Sequence, residues 1–270
     1  MHDLRGLLKG VSGERIAQEL NKLVLGQVSE IVSEYADVFA EFIPEIAACK
    51  GFDQRSKYHN KDVLMHTLNA VDCAPRDKIT RLALLLHDLG KPETFKLVKK
   101  AGVLRGSFKG HAKASTEIAR RTLQKLKYDN DTRRKVLTLV RHHKTSIEPC
   151  PKVVKHLLNR FGEEMFFKLL DIHIADDSAK AERVLKRLPA YQEVIETAKI
   201  IIKSGECYSL NQLAVKGGDL EQLGYEGREI GATLDFLLQA VINQECGNNK
   251  NDLLKFAAGR DAHTTPEEGK

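Results

Sequence analysis

The sequence predicts an all-α protein with one small β-hairpin, on three observations. Apolar residues recur at helical spacing through most of the chain, strand-like runs are almost absent, and the seven prolines fall mostly between the periodic segments. Ile16, Leu20, Leu23 and Val24 put a helix over Gly13–Leu25, and a second apolar helix over Val28–Phe42 is ended by Pro44. Gly51–Asn60 is polar and loop-like, and Asn60 is placed to cap a helix running through Asp72. Thr80–Leu89 is nearly all apolar; Gly90 would supply a left-handed cap and Pro92 would stop the helix. Thr94–Phe108, with a turn at Lys100-Ala101-Gly102, fits the hairpin. Further helices are expected at His111–Leu126, Thr132–His143, Val153–Arg160 and Glu163–Arg187. An Asn211–Gly218 connector then leads to an amphipathic helix at Arg228–Ile242, with Ile230, Leu234, Leu237 and Val241 in register. Residues from Gly259 onward read as a frayed tail.

Composition excludes several classes. The chain of 270 residues is 42% apolar, enough for a buried core and too much for a disordered protein. No run approaches the ~18 apolar residues of a spanning helix, so no membrane is expected as a partner. Asp3, Arg5, Lys9 and Glu14 leave no room for a secretory apolar segment. The five cysteines (Cys49, Cys73, Cys150, Cys207, Cys246) form no Cys-x-x-Cys pair, which points to a reduced, cytoplasmic protein without structural zinc or disulfides. The net charge of +6 is unevenly spread: Lys91–Arg160 holds 19 Lys plus Arg against 5 Asp plus Glu, leaving a net −8 elsewhere. Such a block is a footprint for phosphate or nucleic acid, although solvated helix faces also carry lysines. With no Trp and 6% aromatics, an aromatic platform for splayed bases is not expected.

Several histidines and aspartates fall where a charge is expensive. His87 and Asp88 end the run Leu82–Leu86, so both project from a buried helix into whatever lies at its end. Adjacent helical residues diverge by about 100°, so the pair can converge on one ion only where the helix stops. His66 sits between Val63 and Ala70, and Asp176 extends the face of Phe166, Leu169, Leu170 and His173. His143 continues the Val136, Leu139, Val140 stripe, and His142 falls off it. A single inward histidine is usually a hydrogen-bonded core residue. The joint set His66, His87, Asp88 and Asp176 is instead the nitrogen and oxygen donor set of a catalytic divalent metal. His111 and His143 could complete a second site with Asp88 bridging, an arrangement suited to attack on phosphorus.

These residues carry a resemblance. His66, His87-Asp88 and Asp176 match the H…HD…D signature of the HD metal-dependent phosphohydrolase superfamily, with HDLGK at His87–Lys91. More narrowly, VSGERIAQELNKLVLG (Val11–Gly26) resembles the neck helix of bacterial tRNA nucleotidyltransferases of the CCA-adding and poly(A)-adding class. GFDQRSKYHNKDVLMHTL (Gly51–Leu68) and KGHAKASTEIA (Lys109–Ala119) resemble their body, and LAVKGGDLEQLG (Leu213–Gly224) with Arg228–Gly231 resembles their tail. The resemblance implies a neck-like segment over 1–50, an HD domain over 51–187, a tail-like RNA-binding segment over 188–258 and a disordered end over 259–270. The polymerising head of that family, with its Gly-Ser turn and Asp-x-Asp pair on a sheet, has no counterpart in the sequence, so these residues are not expected to add CCA alone.

The resemblance also implies a chemistry: hydrolysis with one or two divalent ions (Mg, Mn, Ni, Co, Fe or Zn). His66, His87, Asp88 and Asp176 would hold the first, and Asp88, His111 and His143 the second. Lys91 could contact a phosphate oxygen or cap its helix as a cation. Arg141 and Lys144 are further phosphate candidates. His59 could donate a proton, contact substrate, or be structural, and His173 could bond a ligand residue. Within the superfamily, 2′,3′-cyclic phosphodiesterase, 2′-nucleotidase and phosphatase activity on nucleotides or RNA ends fits best. Leu89-Gly90-Lys91 replaces the Glu-Asp that usually follows in (p)ppGpp hydrolases, whereas diadenosine tetraphosphate hydrolases share the six-residue pattern. The alternative is a tRNA-binding body that works with a nucleotidyltransferase head on a separate chain.

Overall fold

The structure, a computed structural model, describes residues 6, 8–56, 61–100 and 102–261. The fold is all-α with a small two-stranded antiparallel hairpin. The chain divides into two compact units, one formed by residues 1–146 and 167–191, the other by 147–166 and 192–270. Among the described residues no helix is long and apolar enough to cross a membrane.

The first unit begins with α1 (Gly13–Val24), α2 (Ser29–Glu34), α3 (Ala36–Phe39) and α4 (Glu45–Cys49). The single helix expected over Val28–Phe42 is in fact two, because the backbone leaves the helical region at Tyr35 (φ −102°, ψ 26°) and the chain turns Phe42 and Ile43 into the core. α5 (Val63–Cys73) is capped by Asp62, whose carboxylate accepts from Met65 N–H at 2.7 Å; the expected cap, Asn60, lies outside the described residues. From the far end of α5, Asp72 accepts from the Val28 and Ser29 amides and so caps α2. α6 (Lys78–Leu86), capped by Asp77, is buried along nearly its whole length. Its Arg81 donates to the carbonyls of Val24, Gly26, Ala74 and Pro75, which satisfies a buried guanidinium and ties the end of α1 to the start of α6.

Gly90 corrects the sequence reading. Its φ is −83°, not left-handed, and Pro92 lies in the first turn of a new short helix, α7 (Lys91–Thr94). The glycine is needed for close approach instead. A Cβ there would lie 2.6 Å from Ala114 Cβ and Ser115 N. Strands β1 (Lys96–Lys100) and β2 (Val103–Ser107) form the hairpin, followed by α8 (His111–Lys125) and α9 (Asn130–His142). The helices α8 and α9 pack on each other and on α6, with Val136, Leu139 and Val140 buried as the stripe predicts.

The long segment α10 (Pro151–Ser178) is broken at Gly162 (φ 71°), where two helices were expected to meet. It stops at Ser178, short of the expected Arg187, since Ala181 is extended and opens the brief α11 (Glu182–Leu185). Next come α12 (Leu188–Ser204), which the sequence reading did not anticipate, and a 3-10 turn at Leu210–Gln212. α13 (Gly217–Glu221), α14 (Arg228–Ile242) and α15 (Lys250–Asp261) complete the described chain. The second unit has its own core of Leu213, Val215, Leu220, Leu237, Ile242 and Leu253, and Tyr225 donates its hydroxyl to Ala257 O at 3.0 Å. Residues 259–261 belong to α15; the rest of the expected frayed tail lies outside the described residues.

Candidate metal centre

Six residues from six places in the first unit meet at one point. His66 comes from α5, His87 caps the C-terminus of α6, and Asp88 lies in the turn before α7. His111 opens α8, His143 caps the C-terminus of α9, and Asp176 lies in the last turn of α10. None of the six is more than 7% exposed. The helix ending at Leu86 lets His87 and Asp88 point the same way, as the sequence required.

The donor atoms form two adjoining groups. His66, His87, Asp88 and Asp176 each offer one within 4.8 Å of the others, and so do Asp88, His111 and His143. Asp88 belongs to both, with its oxygens divided between them. Oδ2 faces His87 Nε2 (3.2 Å) and His66 Nε2 (3.6 Å), while Oδ1 faces His111 Nε2 (3.4 Å) and His143 Nε2 (3.8 Å). Asp176 Oδ1 lies 2.9 Å from His66 Nε2 and 3.5 Å from His87 Nε2.

The backbone sets the tautomers. The Nδ1–H groups of His87, His111 and His143 donate to the carbonyls of Leu84, Phe108 and Val140 at 2.6–2.7 Å. Burial lowers the pKa of both His111 and His143, so both rings are neutral and present a lone pair at Nε2. Those two nitrogens face each other at 3.1 Å. In addition, Asp88 Oδ1 is buried without a hydrogen bond. Facing lone pairs and an unsatisfied carboxylate oxygen are costly unless a cation lies among them, so the donor set fits divalent metal.

The charge balance agrees. Burial alone would raise Asp88 and Asp176, but His87 and Lys91 around the first, and Lys180 and His66 around the second, hold both well below the usual carboxylate range. For His87, burial is outweighed by Asp88 and Asp176, and its pKa is pushed up to about 9.

The remaining sequence candidates divide. Lys91 is buried, with its ammonium 2.6 Å from Asp88 Oδ2 and 2.8 Å from Gln54 Oε1. Lys144 is exposed on the turn after His143 and near enough to Asp176 and Asp88 to sense their charge. Arg141 is exposed on the last turn of α9 and makes no ion pair with any of the six. His173 Nε2 is buried without a hydrogen bond. His59 lies outside the described residues. Sequence reasoning missed Gln54 and the group behind Asp176. There Lys180 donates to Asp176 Oδ2 (2.5 Å) and Asp177 Oδ1 (2.8 Å), and the Tyr191 hydroxyl donates to Asp177 Oδ2 (2.8 Å). The Asp-Asp-x-x-Lys spacing at 176–180 was a usable signal for the lysine; Tyr191 had none.

The family model described as tRNA nucleotidyltransferase domain 2, putative, matches residues 108–257, more than half of the chain. The chain belongs to this family. Among curated members of the tRNA nucleotidyltransferases, it is 29% identical to the CC-adding tRNA nucleotidyltransferase of Thermus thermophilus, covering 93% of this chain and 58% of that one. It is 27% identical to the A-adding tRNA nucleotidyltransferase of Deinococcus radiodurans, covering 64% and 41%. Over 48% of this chain and 32% of the other, it is 32% identical to the multifunctional CCA protein of Dechloromonas aromatica. The chain spans between about a third and somewhat over half the length of these relatives.

Proposed function

We propose that the chain is a metal-dependent phosphohydrolase of the HD type, acting on nucleotide or RNA phosphate esters as a 2′,3′-cyclic phosphodiesterase, 2′-nucleotidase or phosphatase. The observation that carries this reading is the division of the two Asp88 oxygens between two buried donor groups. A divalent ion held by His66, His87, Asp88 and Asp176, and a second held by Asp88, His111 and His143, would supply the acidity that activates water and neutralise charge on the phosphoryl oxygens. The protein's own part is positioning. Carbonyls of Leu84, Phe108 and Val140 hold three imidazoles with Nε2 inward, Lys91 and Gln54 fix Asp88, and Lys180 fixes Asp176. Because the Lys91 ammonium is engaged with Asp88, the contact to a substrate phosphate oxygen falls to Lys144, an exposed cation that senses both Asp176 and Asp88.

The test is turnover of 2′,3′-cyclic AMP and p-nitrophenyl phosphate with Mg²⁺, Mn²⁺, Ni²⁺ or Co²⁺, beside Asp88→Ala. Metal-dependent turnover should fall by about three orders of magnitude or more in the variant, since both donor groups lose a shared ligand. Wild-type protein no more active than Asp88→Ala would sink the reading. A second reading, a tRNA-binding body that acts with a nucleotidyltransferase head on another chain, is supported by the family match over 108–257. It requires tRNA binding at low salt, and no binding there would remove it.

A further inference from the structure

We propose that the β1–β2 hairpin is an RNA-docking arm for the metal centre, so that the substrate class of the centre is an RNA chain rather than a free nucleotide. The second clause rests on the hydrolase reading; the first stands without it. From Phe95 to His111 the sequence carries Lys96, Lys99, Lys100, Arg105 and Lys109 and no Asp or Glu. Among the described residues no carboxylate forms an ion pair with Lys96, Lys99, Arg105 or Lys109. Five other cations of the basic block are paired. Arg120 pairs with Glu117, Arg121 with Glu45, Lys127 with Glu14, and Arg134 and Lys135 with Asp131, at 2.6–3.3 Å. The hairpin therefore gathers four described cations without a carboxylate partner in a stretch that holds no acidic residue, and a polyanion is the complement it lacks.

The arm is anchored to the centre at both ends. At its start, Phe95 stacks edge-on against Phe52 (5.3 Å) and lies 5.5 Å from Phe108 at its finish. The Phe108 carbonyl holds His111 Nδ1, and the Lys91 ammonium lies 5.5 Å above the Phe108 ring. Gly106 N–H donates to Arg55 O, and a Cβ at Gly106 would lie 2.3 Å from the carbonyl of Gln54, the residue that holds Lys91. An anion gripped on the strands is thus held in register with Asp88.

The distribution of side chains favours RNA over a lipid surface. The register pairs Val98 with Arg105 and Lys96 with Ser107 on one face, and Lys99 with Leu104 and Leu97 with Gly106 on the other. Cations therefore occur on both faces. The exposed Leu97 (47%) and Leu104 (60%) share theirs with Lys99, whereas a membrane-lying element segregates its apolar side. Aliphatic surface between cations suits riboses and base edges lying between phosphates.

The experiment compares wild type with Lys96→Ala/Lys99→Ala/Arg105→Ala. Binding of a labelled single-stranded RNA ending in a 2′,3′-cyclic phosphate is measured in EDTA across a salt series, with unfolding midpoints as the folding control. The variant should bind about tenfold or more weakly at low salt, and its log–log salt slope should shrink by about 2, at roughly 0.7 per lost phosphate contact. Lys96→Arg/Lys99→Arg should bind like wild type. An unchanged slope in the alanine variant, or wild-type protein that binds phosphatidylserine vesicles but not RNA, overturns the proposal. With metal added, the kcat/KM preference for the RNA end over 2′,3′-cyclic AMP should drop about tenfold in the variant. Arm-dependent binding without hydrolysis of either substrate would overturn the hydrolase reading and support the docking arm.

Discussion

His87 is the only residue of the centre whose imidazole is driven toward the charged form. His66, His111 and His143 are all lowered, chiefly by burial, while the carboxylates of Asp88 and Asp176 carry His87 to about 9 from its ordinary 6.5. Metal-free protein at neutral pH therefore keeps one proton where a metal ligand should be, and binding a cation must expel it. Two results follow with fixed signs. Calorimetric titration of a divalent metal at pH 7.5, repeated in buffers of different ionisation enthalpy, should give close to one proton released. In EDTA, the folded state holds a proton that the unfolded chain loses, so this contribution to stability is full below pH 6.5 and gone above about 9. Its size is on the order of 3 kcal/mol. Urea midpoints in EDTA should thus fall between those pH values, and His87→Asn should flatten that decline. An equal decline in the variant would place the proton elsewhere. At this scale five of the six grouped side chains were legible because each is a polar residue on an apolar face or at its end, whereas His111 entered through the resemblance. Gln54 and Tyr191 were not, because a loop and a separate helix carry no periodicity that betrays their direction.

At the level of elements, the centre depends on how closely α7 and α8 approach, since His111 opens α8 and Asp88 precedes α7. Gly90 sets that distance: a Cβ would lie 2.6 Å from Ser115 N and 2.9 Å from His111 O, both main-chain atoms that cannot rotate away. Its φ of −83° is open to alanine, so the cost of Gly90→Ala is steric alone, about 1–3 kcal/mol. The same push displaces His111. The variant should therefore lose metal from the group of Asp88, His111 and His143 before the other, giving reduced metal stoichiometry by elemental analysis together with a lower urea midpoint. Full stoichiometry at wild-type stability would show that α8 tolerates the side chain. The sequence reading placed Gly90 correctly at a helix end but for another reason, because dihedral and contact demands on glycine look the same in one dimension. It likewise merged α2 with α3 and ran α10 on to Arg187. Both errors have one source: apolar spacing continues through Tyr35 and through Ala179–Ala181, while the backbone turns there to serve tertiary packing.

For the molecule as a whole, the two compact units carry separate cores, and the donor residues all belong to the first. A cation that binds only the folded first unit stabilises it by RT ln(1 + [M]/Kd), roughly 2.7 kcal/mol at a hundredfold excess over Kd, and adds nothing to a core that contains no ligand. Scanning calorimetry should accordingly resolve two transitions, of which one rises with added Mn²⁺ and falls with EDTA while the other stays in place. The assignment can be forced from the other side. Leu237 is fully buried in the second core, and Leu237→Ala should lower the metal-insensitive transition by the 2–5 kcal/mol typical of such a cavity, leaving the metal-dependent one in place. A single transition that metal and Leu237→Ala shift together would mean that the two cores unfold as one cooperative body, and metal at the centre would then bear on the whole chain.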